Sequence, residues 1–381
     1  MARISAPELP ARIPSLDGLR ALSIGLVIIG HAAATRGAPA LLDRPFITSL
    51  GNVGVRFFFL ISGFLITTLL LRDIDRHGRI RMGLFYARRA FRILPAALCY
   101  ILVIWGLYVL GYLDLRYHQT SHQHVASALP DLVHALTFTS NYQLDYNWYY
   151  NHLWSLSVEE QFYLLWPFAL LLLGTQRALV GACLVLLAAP LARTAMFLFG
   201  GDGPDIAYTR EFQAVADALA TGCLTAMLHN RLGSNPAFLQ WLSRWGLVFA
   251  FVVVAFGYGI AGISRPAAYL LGQSAANLGI AVLIQYVVRF PDALVGRLLN
   301  LRILVAIGVL SYSLYLWQEP FLFFRNESWI GSFPQNIGFA LIAALASYWL
   351  VERPFLALKD RVSGAIRPGA ASGPGARSAA R

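Results

Sequence analysis

The chain has 381 residues, of which 57% are hydrophobic and only 13% are charged, and its mean hydropathy is +0.59. Soluble domains carry about 25% charged residues, so this composition excludes an ordinary soluble enzyme and predicts a polytopic membrane protein. The net charge of +11 does not indicate a nucleic-acid partner, because the arginines lie in short loops between apolar runs.

Apolar runs of about 20 residues predict an all-α protein with about ten transmembrane helices. The predicted spans are 19–35, 50–71, 93–113, 153–173, 178–199, 211–229, 245–263, 268–288, 303–323 and 336–352. The membrane domain is predicted to occupy residues 1–361. The Gly-, Ala- and Pro-rich segment 362–381 is predicted to be a disordered cytoplasmic tail.

The distribution of basic residues predicts the orientation of these spans. Of the 30 Arg and Lys residues, 21 fall on one side of the predicted membrane and 6 on the other, while the rest lie within spans. The positive-inside rule therefore predicts that the N- and C-termini are both cytoplasmic, and the even span count agrees. We expect a multi-pass protein of the cytoplasmic (inner) membrane.

The first predicted span contains two ionisable residues, Arg20 and His31. Eleven residues make just over three helical turns, so both side chains emerge on one face, about 16 Å apart along the axis. Ionisable residues within a span usually face a protein interior or an aqueous cavity. A neutral histidine can act as a general base, and a guanidinium can stabilise negative charge. We expect a buried reaction site here; a histidine satisfied by a neighbouring carbonyl is the alternative.

Three arginines lie where the third predicted span begins, in the segment RRAFR: Arg88, Arg89 and Arg92. Arg89 and Arg92 are three residues apart and share a helix face. Because arginine forks fit phosphate oxygens, we predict that this cluster binds a phosphorylated donor such as coenzyme A from the cytosol. The alternative is a purely topogenic charge cluster.

Glu159 and Glu160, in NHLWSLSVEEQFYLLWP, begin or enter the fourth predicted span. A carboxylate at this position can orient an incoming hydroxyl or set the protonation state of an imidazole. Helix N-termini also favour acidic residues, so a capping role is the alternative. His118, His122 and His124 match no metal-binding spacing, and no metal is expected.

Six segments, in order, carry a resemblance to a known family: IPSLDGLRALSIGLVIIGH, FFFLISGFLIT, RRAFRILP, NHLWSLSVEEQFYLLWP, SYSLYLWQEP and YWLVERPF. From about Ser15 to Phe355 the chain resembles the integral-membrane acyltransferase family 3, whose O-acetylases modify bacterial O-antigens, exopolysaccharides and other glycans. The resemblance implies about ten core helices and an acyl-coenzyme A (acetyl-CoA) donor bound from the cytosol.

The resemblance also implies roles for individual residues. The family's essential first-span arginine and histidine correspond to Arg20 and His31, and its third-span arginine pair corresponds to Arg89 and Arg92. Its glutamate after the W-S-L-S block corresponds to Glu159 or Glu160. The chain departs from the family pattern at Gln318, where many members have histidine.

These observations together predict a membrane-bound O-acyltransferase that moves an acyl group, most simply acetyl, from acyl-CoA to a hydroxyl of a glycan or glycan-like acceptor. His31 is expected to act as the base or to carry the acyl group briefly. The protein as a whole is expected to be embedded in the lipid bilayer. The alternative from another class is a polytopic transporter or flippase for an anionic or glycolipid substrate, because intramembrane Arg and His also line transport pathways. The sequence shows no matching helix breaks in two halves, which favours the enzyme.

Overall fold

The computed structural model describes residues 4–10, 12–42, 44–119, 121–199 and 207–365. Within these residues the fold is helical, and strand pairing is confined to isolated bridges in the loop around Tyr117. The helices are α1 (Pro14–Ala32), α2 (Pro45–His77), α3 (Met82–Val109), α4 (Leu129–Leu136), α5 (Trp148–Asn151), α6 (Leu153–Phe199), α7 (Ala207–Arg210), α8 (Phe212–Met227), α9 (His229–Gly233), α10 (Pro236–Gly259), α11 (Arg265–Ala267), α12 (Gln273–Arg289), α13 (Leu294–Leu299), α14 (Arg302–Trp317), α15 (Gln335–Ser347) and α16 (Arg353–Ala365).

Short 3₁₀ and π segments complete the helical elements. The 3₁₀ turns are Ser140–Tyr142 and Ile260–Gly262, and the π segments are Ala268–Gly272 and Tyr348–Glu352. The second π segment joins α15 directly to α16, so the last helical segment continues to Ala365. Residues 366–381, most of the predicted tail, lie outside the described residues.

Seven helical segments in the described part of the chain are long and apolar enough to cross a membrane. The predicted spans 211–229 and 303–323 correspond to α8 and α14, which have 16 residues each, and the spans 153–173 and 178–199 both fall in α6. The all-α, multi-pass membrane architecture is confirmed. The count of about ten spans and the cytoplasmic termini stay predictions.

Helix α6 is interrupted at Gly174, where φ is 71° and ψ is 168°. Only glycine adopts this backbone region without strain, because it has no Cβ. The interruption lies between the predicted fourth and fifth spans. It separates the segment that carries Glu159 from the segment that carries Arg193.

Helix α1 packs tightly between α2 and α14 because glycines stand at the contacts. A Cβ added to Gly54 of α2 would overlap the carbonyl oxygen of Ser23, and one added to Gly308 of α14 would overlap the carbonyl oxygen of Asp17. Both contacts flank Arg20 along α1. The packing therefore places Arg20 between two closely held helices.

A second close contact joins α2 to α8 through Gly63 and Gly222. A Cβ on Gly63 would overlap the carbonyl oxygen of Leu219, and one on Gly222 would overlap the carbonyl oxygen of Leu60. Close approach through small residues is typical of helix pairs in membranes, where packing rather than the hydrophobic effect drives association.

Arg193 and Asp217 form a fully buried ion pair between α6 and α8, with Arg193 Nη2 3.1 Å from Asp217 Oδ2. Arg193 also donates to the backbone carbonyls of Tyr269 and Ala214. Arg56 of α2 lies at the edge of this cluster and donates to the side-chain oxygen of Asn277, 3.0 Å away. Each of these intramembrane arginines thus has partners from neighbouring helices, as a charge in an apolar bundle requires.

The loop between α3 and α5 folds around His118, whose ring nitrogens face two carboxylates. Nε2 lies 3.0 Å from Asp131 Oδ2 and Nδ1 lies 3.2 Å from Asp145 Oδ2. Burial would raise the pKa of Asp145, but hydrogen bonds from Ser121 and the neighbouring His118 hold it below its usual value. Asp145 therefore stabilises the fold near neutral pH, and this contribution is lost as the pH falls through its lowered pKa.

We predict that Gly222→Ala lowers the free energy of unfolding by about 1–3 kcal/mol, because the added methyl group forces α2 and α8 apart. The matched control is Gly106→Ala in α3, where nothing lies within 4 Å of the added Cβ. Alanine is the better helix former by about 1 kcal/mol, so the control is expected to be neutral or stabilising. Thermal unfolding in detergent measures both. Equal shifts in Tm for the two variants would contradict the packing argument.

Candidate active site

A cavity that is partly open to solvent lies among α1, α2, α3, α6 and α14, and the empty space within it, its open mouth included, is about 710 Å³. Its charged lining residues, among those the structure describes, are Arg20, Arg89, Arg92 and Glu159. Four of the residues that the sequence predicts for the site therefore share one cavity, although they come from three helices. Positive charge outnumbers negative charge on its walls, so the cavity suits an anionic ligand.

Arg20 enters the cavity from α1, one turn after Asp17. Its Nη1 lies 3.6 Å from Asp17 Oδ1, while Asp17 Oδ2 accepts a hydrogen bond from Arg12 Nε at 2.9 Å. Asp17 is thus shared between two guanidinium groups and neutralises Arg20 only in part. Arg20 keeps positive charge available to a ligand.

Glu159 is held by two hydroxyl groups. Its Oε1 accepts a hydrogen bond from Ser62 Oγ at 2.7 Å, and its Oε2 accepts one from Tyr163 Oη at 3.1 Å. Arg89 lies over the ring of Tyr163, with Cζ 5.5 Å from the ring centroid. These contacts fix the carboxylate beside the arginines without tying it to any one of them in a short ion pair.

The structure distinguishes the two glutamates that the sequence leaves as alternatives. Glu159 lines the cavity, whereas Glu160, the next residue on α6, is not among the lining residues. One helical step of about 100° turns the two side chains in different directions. We therefore retain Glu159 as the candidate and treat Glu160 as its matched control.

Arg88 lines a neighbouring, smaller cavity together with Asp73, Arg81 and Arg89. Arg89 lines both cavities and so lies between them. In the smaller cavity Arg81 Nη2 lies 2.7 Å from Asp73 Oδ1. The basic cluster on α3 therefore borders both cavities.

His31 lies apart from these charges, at the other end of α1. It does not line the cavity, and its Nδ1 lies 2.9 Å from Gln318 Oε1 and 3.4 Å from Glu319 Oε2. The sequence offers Glu159 or Glu160 as the carboxylate that sets the protonation state of the imidazole, but neither supplies the carboxylate that contacts His31. The carboxylate beside His31 is that of Glu319, because the residues after α14 reach the end of α1.

Helix α14 and the turn after it nevertheless lie near both Arg20 and His31 of α1. Its Ser311, Tyr312 and Tyr315 line the cavity with Arg20, and the turn after it contacts His31. Arg20 therefore shares a cavity with residues of α14, and His31 contacts the turn that follows α14; that both side chains emerge on one face of α1 stays a prediction. Tyr315 Oη bonds Ser155 Oγ and donates to the carbonyl of His152, so polar groups continue from the cavity toward the His31 end.

Sequence reasoning missed the hydroxyl groups of the site, although α6 carries a signal for them. Ser155 and Tyr163 lie four residues before and four residues after Glu159, which places all three on one helix face, and all three line the cavity. Ser62 and Glu319 have no comparable local pattern. Their roles follow from contacts with residues about 100 and almost 300 positions away.

Comparison with known proteins identifies the family of the chain. A family model described as an acyltransferase domain matches residues 13–352, which is most of the chain. The chain belongs to this acyltransferase 3 family. The matched range includes Arg20, His31, Arg89 and Arg92.

The relatives found for this chain are named as O-acetyltransferases. Staphylococcus aureus (strain NCTC 8325) OatA, named an O-acetyltransferase, is 28% identical over 374 residues, which are 91% of this chain and 57% of the relative. Bacillus subtilis YrhL, provisionally named a peptidoglycan O-acetyltransferase, is 29% identical over 338 residues, which are 81% of this chain and 48% of the relative. The chain spans about half the length of these curated relatives.

We predict that Glu159→Gln reduces acyl transfer by this acyltransferase 3 chain at least about 100-fold, while Glu160→Gln changes it less than about threefold. The amide keeps the size of the side chain but removes the negative charge that balances the cavity arginines. Turnover of purified protein in detergent measures both, with melting temperatures as the check on folding. Equal losses in the two variants would contradict the assignment of Glu159.

Proposed function

We propose that the chain is a membrane-bound O-acyltransferase that transfers an acetyl group from acetyl-CoA to a hydroxyl of a cell-envelope glycan. The observation that carries the proposal is the arginine-rich cavity of Arg20, Arg89, Arg92 and Glu159, set between the basic cluster and the His31 end of α1. The family match and the names of the relatives support acyl transfer to oxygen.

The donor is assigned to the arginine end. Coenzyme A carries phosphate groups, and the planar fork of arginine binds phosphate oxygens with paired, charge-assisted hydrogen bonds. Arg89 and Arg92 hold these phosphates in the proposal, and Arg88 extends the positive surface toward the predicted cytosolic side. A cytosolic donor places the protein in the cytoplasmic (inner) membrane.

The reaction is assigned to the His31 end. An imidazole nitrogen accepts the proton of the acceptor hydroxyl while that oxygen bonds to the thioester carbonyl carbon. The carbon–sulfur bond breaks, and the coenzyme A thiolate takes the proton from the imidazolium. In the variant through an acyl-histidine, the imidazole attacks the carbonyl first and the hydroxyl then displaces it. Arg20 lies about 16 Å along α1 from His31, too far to act on the reacting carbonyl, so in both routes we assign it, with Arg89 and Arg92, to the phosphates of the donor.

The acceptor class rests on the relatives alone. The name of Bacillus subtilis YrhL refers to peptidoglycan, so a glycan hydroxyl is the acceptor we propose. The transporter or flippase alternative is not favoured, because the family match and the relatives' names refer to acyl transfer.

His31→Ala is predicted to abolish transfer, because it removes the proposed proton acceptor. The measurement is transfer of radiolabelled acetyl from acetyl-CoA by purified protein in proteoliposomes, without an ion gradient. Expression and membrane insertion are expected to match the wild type. Retained turnover would remove His31 from the mechanism, and an absence of transfer or hydrolysis by the wild type would contradict the donor.

Substituting both Arg89 and Arg92 by alanine is predicted to raise the apparent KM for acetyl-CoA about 10- to 100-fold per lost contact, because charge-assisted hydrogen bonds contribute about 1.5–3 kcal/mol. The matched control is Arg244→Ala, which removes an exposed arginine of α10 on the same predicted side. If the control raised KM as much as the double variant, general electrostatic attraction would replace the specific site.

A further inference from the structure

The imidazole of His31 is the proposed proton acceptor, and its contacts define which ring nitrogen does this work. Gln318, which is fully buried, presents Oε1 to His31 Nδ1 at 2.9 Å. The same amide donates from Nε2 to Glu319 Oε2 at 2.7 Å. An amide nitrogen cannot accept, so the bond to the carboxylate fixes which end of Gln318 faces the ring.

The orientation of this amide sets the tautomer of His31. A carbonyl oxygen accepts hydrogen bonds and cannot donate them, so Nδ1 carries the hydrogen when His31 is neutral. The lone pair is then on Nε2. This is the protonation state that a general base needs, with the proton-accepting nitrogen directed away from Gln318.

Glu319 adds a buried negative charge next to the same nitrogen. It is fully buried, and its Oε2 lies 3.4 Å from His31 Nδ1. A buried carboxylate is costly unless it is paired, and the partner that its ion-pair contact supplies is His31. Arg210, the other cation that interacts with Glu319, is itself bonded to Asn151 and packed over the ring of Tyr146.

Trp148 locks this arrangement in place. Its indole Nε1 donates to the carbonyl oxygen of Glu319 at 2.8 Å, and its ring meets the imidazole edge-on, with centroids 5.9 Å apart. The turn after α14 is therefore tied to α5 and stands against the end of α1. The contacts come from three separate parts of the chain.

We propose that Gln318 and Glu319 are positioning residues for His31: Gln318 fixes the tautomer with its lone pair on Nε2, and Glu319 stabilises the imidazolium that forms when Nε2 takes the hydroxyl proton. The proposal rests on the proposed acyl transfer and deepens it. The proton goes from the acceptor hydroxyl to Nε2 and from there to the departing thiolate, so no proton is transferred to Glu319.

The same contacts explain how the chain works with glutamine at position 318. The task at this position is to accept a hydrogen bond from Nδ1 and to connect it to a carboxylate, and an amide does both. A histidine can accept from Nδ1 as well. Glutamine at this position is therefore compatible with catalysis by His31.

The first test is Glu319→Gln, compared with the wild type in kcat and in the KM for acetyl-CoA. Without the neighbouring carboxylate the imidazolium that forms in the reaction is less stable, so kcat per folded protein is expected to fall at least about tenfold, with the KM for acetyl-CoA unchanged.

The matched control is Glu352→Gln. Glu352 is also buried and also contacts α14, through a 2.8 Å hydrogen bond from Ser313, but it does not contact His31. This variant is expected to leave kcat per folded protein unchanged. A purely structural role for Glu319 would lower Tm and yield in the Glu319 variant without lowering kcat per folded protein, and that result would overturn the proposal.

Gln318 is tested by comparing Gln318→Leu with Gln318→His. Leucine cannot accept from Nδ1, so kcat is expected to fall about 10- to 100-fold with the KM for acetyl-CoA unchanged, whereas histidine restores most of the rate. Equal rates in the leucine variant and the wild type would overturn the tautomer assignment. Failure of the wild type to use acetyl-CoA would instead contradict the proposed function, so the two failures are distinguishable.

Discussion

The burial of positive charge in an apolar helix bundle is the constraint on which this structure depends, and the protein meets it in two different ways. Arg193 is paired with Asp217 and with backbone carbonyls, so its charge is already neutralised within the helix bundle. In the cavity, three arginines face one lining carboxylate, Glu159, among the residues that the structure describes. A balanced pair stabilises packing, whereas an unbalanced cluster beside open space is suited to a ligand that brings negative charge.

Helix α1 connects the two ends of the proposed reaction site. Arg20 lies toward its start and His31 near its end, and α14 runs beside both. Because Gly54 and Gly308 let α2 and α14 approach the backbone of α1 closely, the distance between guanidinium and imidazole is set by a rigid rod rather than by loops. A fixed distance between the groups that bind the donor and the group that reacts holds the thioester in one orientation.

Much of the fold and part of the site follow from the sequence. Apolar runs identify the helices because every backbone group must be satisfied inside lipid, and four charged residues that the sequence singles out, Arg20, Arg89, Arg92 and Glu159, line one cavity. Glu319 could not be paired with His31 in this way, because 287 positions separate His31 from Gln318, the residue before it. The break at Gly174 and the hydrogen bond from Ser62 to Glu159 likewise depend on backbone geometry and tertiary packing, which periodicity does not encode.

The separation of the arginine cavity from His31 has a chemical rationale under acyl transfer from coenzyme A. The donor has its phosphates at one end and its thioester at the other, joined by a long flexible arm, so the groups that hold it need not adjoin the group that reacts. Ser155 and Tyr315 line the route between them with hydroxyl groups rather than ionic side chains. Hydroxyls can accompany a polar arm without competing with the arginines for phosphate. The binding energy of the remote phosphates is then available to place the thioester against His31, which is how interactions far from the reacting bond contribute to rate.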